Sequence, residues 1–310
     1  MTPEQFSALA QQGYNRIPVM REVLADLDTP LSTYLKLANG PYSYLLESVH
    51  GGEKWGRYSI IGLPCKQVLK VFGNRISIEE NGETIEQLES NDPLNFIEEY
   101  QARFKVPELN GLPRFNGGLV GYFAYDTIRY IEPKLTASCP DDPLGTPDIL
   151  LMVSDQLVVF DNLSGKLMLI YHADPSIDDA YQLAQTVLDL LVHRLRTEIC
   201  AQSKSQSHEK DIQESDFISG FSEQGFKAGV SKIKEYVLSG DVMQTVLSQR
   251  MSIPFESEPL DLYRSLRCLN PSPYMYFLNL QDFHIVGSSP EILARIEEGE
   301  VTVRPIAGTR

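Results

Sequence analysis

Apolar residues recur along the chain with two spacings, and each spacing predicts one kind of secondary structure. Short apolar or alternating runs predict strands at residues 42–47, 57–61, 68–72, 76–80, 118–129, 149–160, 167–172, 245–255, 275–280, 284–287, 293–296 and 301–306. Helical spacing marks residues 3–12 and 176–200, segments that begin at Thr29-Pro30 and Asp92-Pro93, and a segment that ends at Gly240. Strands outnumber helices and follow one another like hairpins. This predicts an α+β protein with antiparallel or mixed β-sheets and outer helices.

A polar stretch divides this pattern into two parts. Residues 201–216 are rich in Ser, Gln, Glu and Lys and have no apolar period. Such composition is typical of a linker. With 310 residues, the chain has room for two ordinary domains. We therefore predict a first domain at 1–200, a linker at 201–216 and a second domain that begins at 217 and continues to 310.

Composition limits the partners that the protein could have. The chain is 42% hydrophobic and carries a net charge of −15. Nucleic-acid binding requires clustered Lys and Arg, so this charge disfavours it, whereas a local pocket could still bind a small anion. The chain has no signal-peptide pattern and no apolar run long enough for a membrane span. Its four cysteines lie far apart. We expect a cytoplasmic, soluble protein with reduced thiols and no membrane partner.

Several common catalytic patterns are absent from the sequence. The glycines in N-G-G-L-V-G, residues 116–121, do not form G-x-G-x-x-G, and no helical pattern follows them. The sequence also lacks H-E-x-x-H, G-x-S-x-G and a Walker A motif. The five histidines are isolated from one another and are interpreted as structural or solvated. Dinucleotide-binding, zinc-protease and serine-hydrolase chemistries are therefore unsupported.

Three other stretches are unusual in composition. They are L-L-E-S at 45–48, N-P-S-P-Y-M at 270–275 and A-G-T at 307–309. Each has an ordinary interpretation, respectively a strand end, a rigid connector between a helix and a strand, and a turn. The third stretch also has functional potential, because glycine permits a ligand to approach the backbone and a threonine hydroxyl can donate to a carboxylate.

Taken together, these stretches carry a family resemblance. From about residue 17 to the last residue the chain resembles the large subunits of anthranilate synthases, within the family of chorismate-utilising enzymes. The segments that carry it are L-L-E-S, W-G-R-Y-S-I-I-G, G-G-L-V-G-Y-F-A-Y-D, K-I-K-E-Y-V-L-S-G-D-V-M-Q-T-V-L-S-Q-R, L-N-P-S-P-Y-M-Y-F, V-G-S-S-P-E-I-L and P-I-A-G-T-R. Their order along the chain makes the resemblance far more specific than any single segment.

The resemblance implies an activity that this chain would share with a longer protein. Such enzymes convert chorismate and ammonia to anthranilate and pyruvate, and a separate glutamine amidotransferase subunit, component II, supplies the ammonia. Gly308 and Thr309 match chorismate-contacting positions. The family's Mg²⁺-binding glutamates and catalytic histidine match positions downstream of Arg310. We therefore expect an inactive N-terminal portion in which the second domain of the chorismate-utilising fold is incomplete and no metal ligand is present.

Two positions separate this enzyme type from its relatives. Aminodeoxychorismate synthase component I often has a lysine nucleophile where this chain has Ala307, and relatives that add water have a lysine base where it has Gln244. Neither residue can supply that chemistry. Two alternatives stay open, namely the aminodeoxychorismate synthase component and a non-catalytic fragment that binds tryptophan.

The resemblance also implies a regulatory pocket for L-tryptophan, an inhibitor that is the end product of the pathway. Glu47 and Ser48 match one wall of that pocket, and Pro273, Tyr274 and Met275 match the other. A carboxylate suits the α-ammonium group of the ligand, and apolar side chains suit its indole ring. Arg57 is a further candidate for the pocket, with a salt bridge at the start of a strand as the alternative.

Overall fold

The computed structural model describes residues 1–49, 56–139, 142–197 and 211–305. The chain divides into two units, the first comprising Met1–Ala201 with Pro259–Arg310 and the second Gln202–Glu258. In the described part of the chain, no helix combines the length and the apolar character that crossing a membrane requires.

Six α-helices and sixteen strands are formed by the described residues. In chain order the helices are α1 (Pro3–Gln11), α2 (Pro30–Leu37), α3 (Pro93–Gln101), α4 (Ala180–Thr197), α5 (Glu223–Ser239) and α6 (Pro259–Leu269). The strands are β1 (Ile17–Leu24), β2 (Ser43–Glu47), β3 (Tyr58–Gly62), β4 (Gln67–Phe72), β5 (Arg75–Glu80), β6 (Glu83–Glu89), β7 (Gly118–Phe123), β8 (Ile149–Ser154), β9 (Gln156–Asp161), β10 (Lys166–Ala173), β11 (Ile218–Ser219), β12 (Met251–Ser252), β13 (Tyr274–Asn279), β14 (His284–Ser289), β15 (Arg295–Glu297) and β16 (Glu300–Thr302). Three short 3-10 helices lie at Tyr125–Tyr130, Pro133–Ser138 and Glu214–Asp216.

Two antiparallel sheets form the centre of the first unit. One has seven strands in the order β1-β10-β9-β3-β2-β13-β14, and the other has five in the order β6-β5-β4-β8-β7. Every neighbouring pair in both sheets is antiparallel. The predicted α+β class with antiparallel sheets and outer helices is therefore confirmed.

Strand alternation explains how these elements form layers, because successive side chains point to opposite faces of a sheet. On the outer face of the seven-stranded sheet, Leu45, Val158 and Leu169 pack in one core cluster with residues of α1, α2, α4 and α6. On its inner face, Tyr44 and Leu278 pack with residues of β4 and β8 from the five-stranded sheet. The outer face of the five-stranded sheet is covered by α3.

Local signals in the sequence place several boundaries correctly. The Thr29 hydroxyl accepts a bond from the Ser32 amide (3.1 Å), and the Asp92 carboxylate accepts one from the Asn95 amide (3.0 Å). Both residues therefore cap helices that begin with proline, as predicted. Asn81 and Gly82 have positive φ angles of 52° and 85° between β5 and β6, which confirms the predicted hairpin turn.

Several predicted strands are wrong in extent, and three of them differ most clearly. The run 149–160 forms two strands that separate at Asp155, because β8 pairs with β4 in one sheet and β9 pairs with β3 in the other. The run 118–129 ends as a strand at Phe123 and continues as a 3-10 helix. Of 245–255, only Met251–Ser252 is a strand. An apolar run reveals burial, but it does not reveal where a chain passes from one sheet to another.

The second unit is small and contains β11, α5 and β12. Strands β11 and β12 pair antiparallel. Helix α5 begins after Ser222, whose hydroxyl accepts a bond from the Gly225 amide (3.1 Å). It ends at Gly240, where φ is +79°, as expected for a glycine that terminates a helix.

The two units differ from the domain bounds that the sequence predicts. Residues Pro259–Arg310 belong to the first unit and not with 217–258, since β13 pairs with β2 and α6 packs with β13 and β14. This pairing joins segments that are far apart in the chain, so local composition does not reveal it. That 217–310 begins a chorismate-binding domain stays a prediction, and residues 201–210 of the predicted linker lie outside the described residues.

Candidate functional site

A cavity of about 650 Å³ lies in the first unit where the two sheets face each other. Strands β2, β3, β13 and β14 form one wall, and residues 120–123 of β7 form the other. Its walls are mostly apolar and aromatic, with contributions from Leu46, Tyr58, Ile60, Val120, Tyr122 and Leu278. This composition suits a small ligand with a flat apolar part.

The cavity brings together the two stretches that the sequence analysis assigned to one pocket. Glu47, Ser48, Pro273, Tyr274 and Met275 all contribute to its lining. Pairing of β2 with β13 sets Glu47 opposite Met275. The Val49 amide then donates to the Ser272 carbonyl (3.2 Å), so the contact continues past the end of β2.

The side chains of these five residues nevertheless do not all lie on the same face of the sheet. Met275 packs on the outer face in the same core cluster as Tyr263 of α6. Glu47 uses the same face, because its carboxylate accepts a hydrogen bond from the Tyr263 hydroxyl (2.6 Å) and lies 3.2 Å from Nε of Arg267. Ser48 continues the inner face of Leu46, which lines the cavity. Neighbouring positions in a strand cannot both direct their side chains into one pocket, so a ligand contact by the Glu47 carboxylate stays a prediction.

The Ser48 hydroxyl is the polar group of this wall that most needs a partner. Its oxygen is buried, and the described residues offer it no hydrogen-bond partner. A buried hydroxyl without a partner costs free energy, roughly 1–3 kcal/mol. Ser48 is therefore the best-placed side chain for a polar contact with a ligand in the cavity.

Tyr276 is a lining residue that sequence reasoning missed. Its ring lies across Gly287 on the neighbouring strand, where a Cβ atom would be 2.1 Å from the ring. Tyr122 on the opposite wall donates to the Pro147 carbonyl (2.6 Å), and burial raises its pKa to about 12. The alternation of Tyr274, Tyr276 and Leu278 in β13 is the signal that could have identified this face.

Arg57 forms the alternative contact that the sequence left open. Its Nη2 atom lies 2.8 Å from Oδ2 of Asp161, and its Nε atom lies 3.2 Å from both carboxylate oxygens. This ion pair lowers the pKa of Asp161, to which amides of the turn at Leu163 and Ser164 also donate. Arg57 thus closes a salt bridge at the start of β3, and it is not among the residues that line the cavity.

The structure describes only some of the residues predicted for the chorismate site. Gln244 is exposed in the segment between α5 and β12. Ala307, Gly308 and Thr309 lie outside the described residues. Among the described residues, no three His, Cys, Asp or Glu side chains form a group that could hold a metal ion.

A second, smaller cavity of about 240 Å³ contains titratable residues that were not predicted as a site. Asp155 and His172 both line it. Burial raises the pKa of Asp155 and lowers that of His172. The Nε2 atom of His172 lies 2.5 Å from the Asn116 carbonyl, which can only accept, so the neutral ring donates through Nε2. This contact gives His172 a structural role, which agrees with the interpretation of the histidines.

Comparison with known proteins identifies a family and close relatives. Residues 49–310 match the chorismate binding enzyme family. Anthranilate synthase component 1 of Pseudomonas aeruginosa is 58% identical over 311 positions, which cover 100% of this chain and 63% of that protein. The protein of the same name from Neisseria meningitidis serogroup B is 55% identical over 313 positions, covering 100% of this chain and 62% of its own length. The chain thus spans less than two thirds of these relatives.

A solved structure has a similar fold. The crystal structure of anthranilate synthase component I from Streptococcus pneumoniae TIGR4 superposes with a TM-score of 0.65 at 28% identity. The superposition covers 91% of this chain and 60% of that chain.

Proposed function

Since the chain belongs to the family of chorismate binding enzymes, we propose that it forms part of the large subunit of an anthranilate synthase. The complete enzyme converts chorismate and ammonia to anthranilate, pyruvate and water. The observation that carries this proposal is the identity to anthranilate synthase component 1 proteins, which extends over the whole chain. Ala307 and Gln244 favour this activity over those of relatives that use a lysine at either position.

The partners follow from the same reaction. A glutamine amidotransferase subunit, component II, supplies ammonia, and Gly308 and Thr309 contact chorismate. Mg²⁺, when bound to the complete enzyme, stabilises negative charge on the substrate. No described residue is assigned to the metal. A cytoplasmic location is supported by the free thiols of Cys65 and Cys268.

An activity assay with two samples tests the proposed reaction. The full-length gene product, given chorismate, ammonium and Mg²⁺, should produce anthranilate, which is followed by its fluorescence. The 310-residue chain alone should produce none, because the family resemblance implies that the metal ligands match positions downstream of Arg310. A full-length product that leaves chorismate unchanged would refute the proposed reaction. Turnover by the 310-residue chain alone would refute the assignment of the catalytic residues to positions downstream of Arg310.

We propose further that the 650 Å³ cavity binds L-tryptophan as a feedback inhibitor. Leu46, Tyr274 and Tyr276 offer apolar and aromatic surface to an indole ring. The Ser48 hydroxyl, buried without a partner among the described residues, is suited to a polar group of the amino acid. Inhibition would then couple two separate sites, typically by about 1–3 kcal/mol.

Ser48→Phe tests this assignment, because a large ring in the cavity should exclude tryptophan. We expect inhibition by tryptophan to weaken roughly 5-fold or more, within the usual range of allosteric coupling. Chorismate turnover without tryptophan should change little. Ser48→Ala is the matched control, since it removes the hydroxyl without filling the space, and it should have the smaller effect. An unchanged response to tryptophan in Ser48→Phe would refute the assignment.

One observation favours a second function for the chain by itself. The residues that line the cavity all lie within the first unit. A fragment without catalytic activity could therefore bind tryptophan as a regulatory module. Calorimetric titration of the 310-residue chain with L-tryptophan tests this, and absence of binding to the folded chain would refute it.

A further inference from the structure

The buried carboxylate of Glu47 joins the strand beside the cavity to helix α6. Glu47 is 4% exposed. Tyr263 donates its hydroxyl to Oε2 (2.6 Å), and Arg267 approaches with Nε 3.2 Å from Oε2 and Nη2 3.3 Å from Oε1. Tyr263 and Arg267 lie one helical turn apart and thus on the same face of α6. Two donors on one helix therefore hold one carboxylate on β2.

Helix α6 leads directly into β13, which belongs to the same cavity wall as β2. It ends at Leu269, and residues 270–273 connect it to β13. These residues are tied to their surroundings on two sides: the Ser272 carbonyl accepts from the Val49 amide (3.2 Å), and the Asn270 carbonyl accepts from the Ser288 hydroxyl (2.7 Å). The Ser272 hydroxyl also donates to the Ser289 carbonyl. A shift of α6 must therefore move Pro273 and Tyr274, which line the cavity.

The charges at this contact favour the observed arrangement. Glu47 is a buried anion, and Arg267 is the cation that compensates it. Burial and the Glu47 charge both raise the pKa of Tyr263 well above its ordinary value, so this hydroxyl keeps its proton and always acts as the donor. Removing one partner would leave the carboxylate buried and undercompensated, which is strongly unfavourable.

We propose that Tyr263 and Arg267 are positioning residues for the cavity. They hold Glu47, fix α6 against β2 and so set the placement of Pro273 and Tyr274. In this arrangement Glu47 acts as the anchor of the cavity wall, while Ser48 and the β13 face contact the ligand. The inference rests on the proposed tryptophan site.

Tyr263→Phe tests the proposal against a closely matched control, Tyr34→Phe. Both tyrosines are fully buried in the same core cluster. The Tyr34 hydroxyl also bonds to β2, at Ser43 (2.8 Å), but that residue does not line the cavity. Both variants remove a buried hydroxyl together with its hydrogen bonding, so both should melt at a lower temperature. Only Tyr263→Phe should weaken binding of L-tryptophan, by roughly 5-fold or more, when the full-length gene product is titrated calorimetrically.

The contribution of the Arg267 charge is tested with further variants, all of them on helix α6. Arg267→Gln should weaken tryptophan binding at least as much, and Arg267→Lys should recover part of the loss. Arg264→Gln is the control, because Arg264 is exposed and pairs with Asp261 on its own helix. The KM for chorismate should be unchanged in all five variants, which separates a local effect on the cavity from general damage.

Hydrogen exchange without any ligand provides an independent measurement. Tyr263→Phe should speed exchange of the Val49 amide and of the β13 amides, whereas Tyr34→Phe should leave them near the parent rate. Equal tryptophan affinity and equal exchange in the Tyr263 and Tyr34 variants would overturn the inference while the proposed function stands. If the parent protein did not bind tryptophan, the regulatory function would fail. The exchange rates would then still decide whether Tyr263 fixes this wall.

Discussion

Helices α4 and α5 are nearly equal in length and were predicted from the same periodicity, yet only α4 packs into a hydrophobic core. Helix α4 has 18 residues and α5 has 17. The buried residues of α4 are Ala180, Ala184, Leu188, Leu191 and Leu195. None of the α5 residues is buried, and Leu238 in its last turn is 88% exposed.

The difference shows that periodicity and burial are separate properties. The apolar stripe of α4 packs on β10, β1 and α2. Hydrophobic stabilisation is proportional to the apolar area removed from water, roughly 25 cal/mol per Å². The stripe of α5 gains little of it in this structure, so its stability depends more on its caps, Ser222 and Gly240. Equal sequence patterns therefore predict equal helices but not equal contributions to the fold.

The largest expected effect comes from deleting a buried side chain of α4. Leu188→Ala should lower the free energy of unfolding by about 2–5 kcal/mol, because it leaves a cavity in the main core cluster. Leu238→Ala in α5 is the control and should change it by about 0.5 kcal/mol or less. Guanidinium denaturation followed by circular dichroism measures both. Similar losses would show that α5 is also part of a core.

Limited trypsin digestion should separate the two helices by rate. Cleavage at Lys227, Lys232 or Lys234 in α5 is expected before cleavage at Arg194 or Arg196 in α4, because regions with few buried contacts open locally at low cost. Mass spectrometry of the early fragments identifies the sites.

The same digestion also tests the boundary between the two units. Arg264 and Arg267 in α6 should resist as long as α4 does, since α6 belongs to the first unit. If they were cut together with the α5 sites, the predicted domain 217–310 would describe the chain better than the observed division.

The smallest expected effect concerns the end of α5. Gly240 has a φ of +79°, which other residues adopt at a cost of about 1 kcal/mol. Gly240→Ala should therefore fray the last turn, while Gly240→Asn should be tolerated better, because asparagine enters this region more readily. Hydrogen exchange of the amides around Val237 detects the change. Identical exchange in the Ala variant and the parent would mean that the cap does not limit this helix.

Much of the candidate site could be predicted from the sequence, but its geometry could not. The segments at 45–48 and 270–275 were assigned to one pocket from the family resemblance, and the structure brings both to one cavity. Which of their side chains face it was not predicted: Glu47 and Met275 belong to the outer face of the sheet, and Tyr276 was missed. The face used by a residue depends on strand register, and a shift of one residue exchanges the faces.

The sequence by itself determined the structural features that depend on a few neighbouring residues. Thr29 and Asp92 start helices, Asn81-Gly82 turns a hairpin and Gly240 ends α5, because each acts through a side chain or a φ angle within about four positions. Tertiary structure alone decided that the chain changes sheets at Asp155, that β13 lies beside β2 and that α6 holds Glu47. Each of these arrangements depends on how much surface is buried between segments that are far apart in the chain. A local sequence pattern contains no information about that burial.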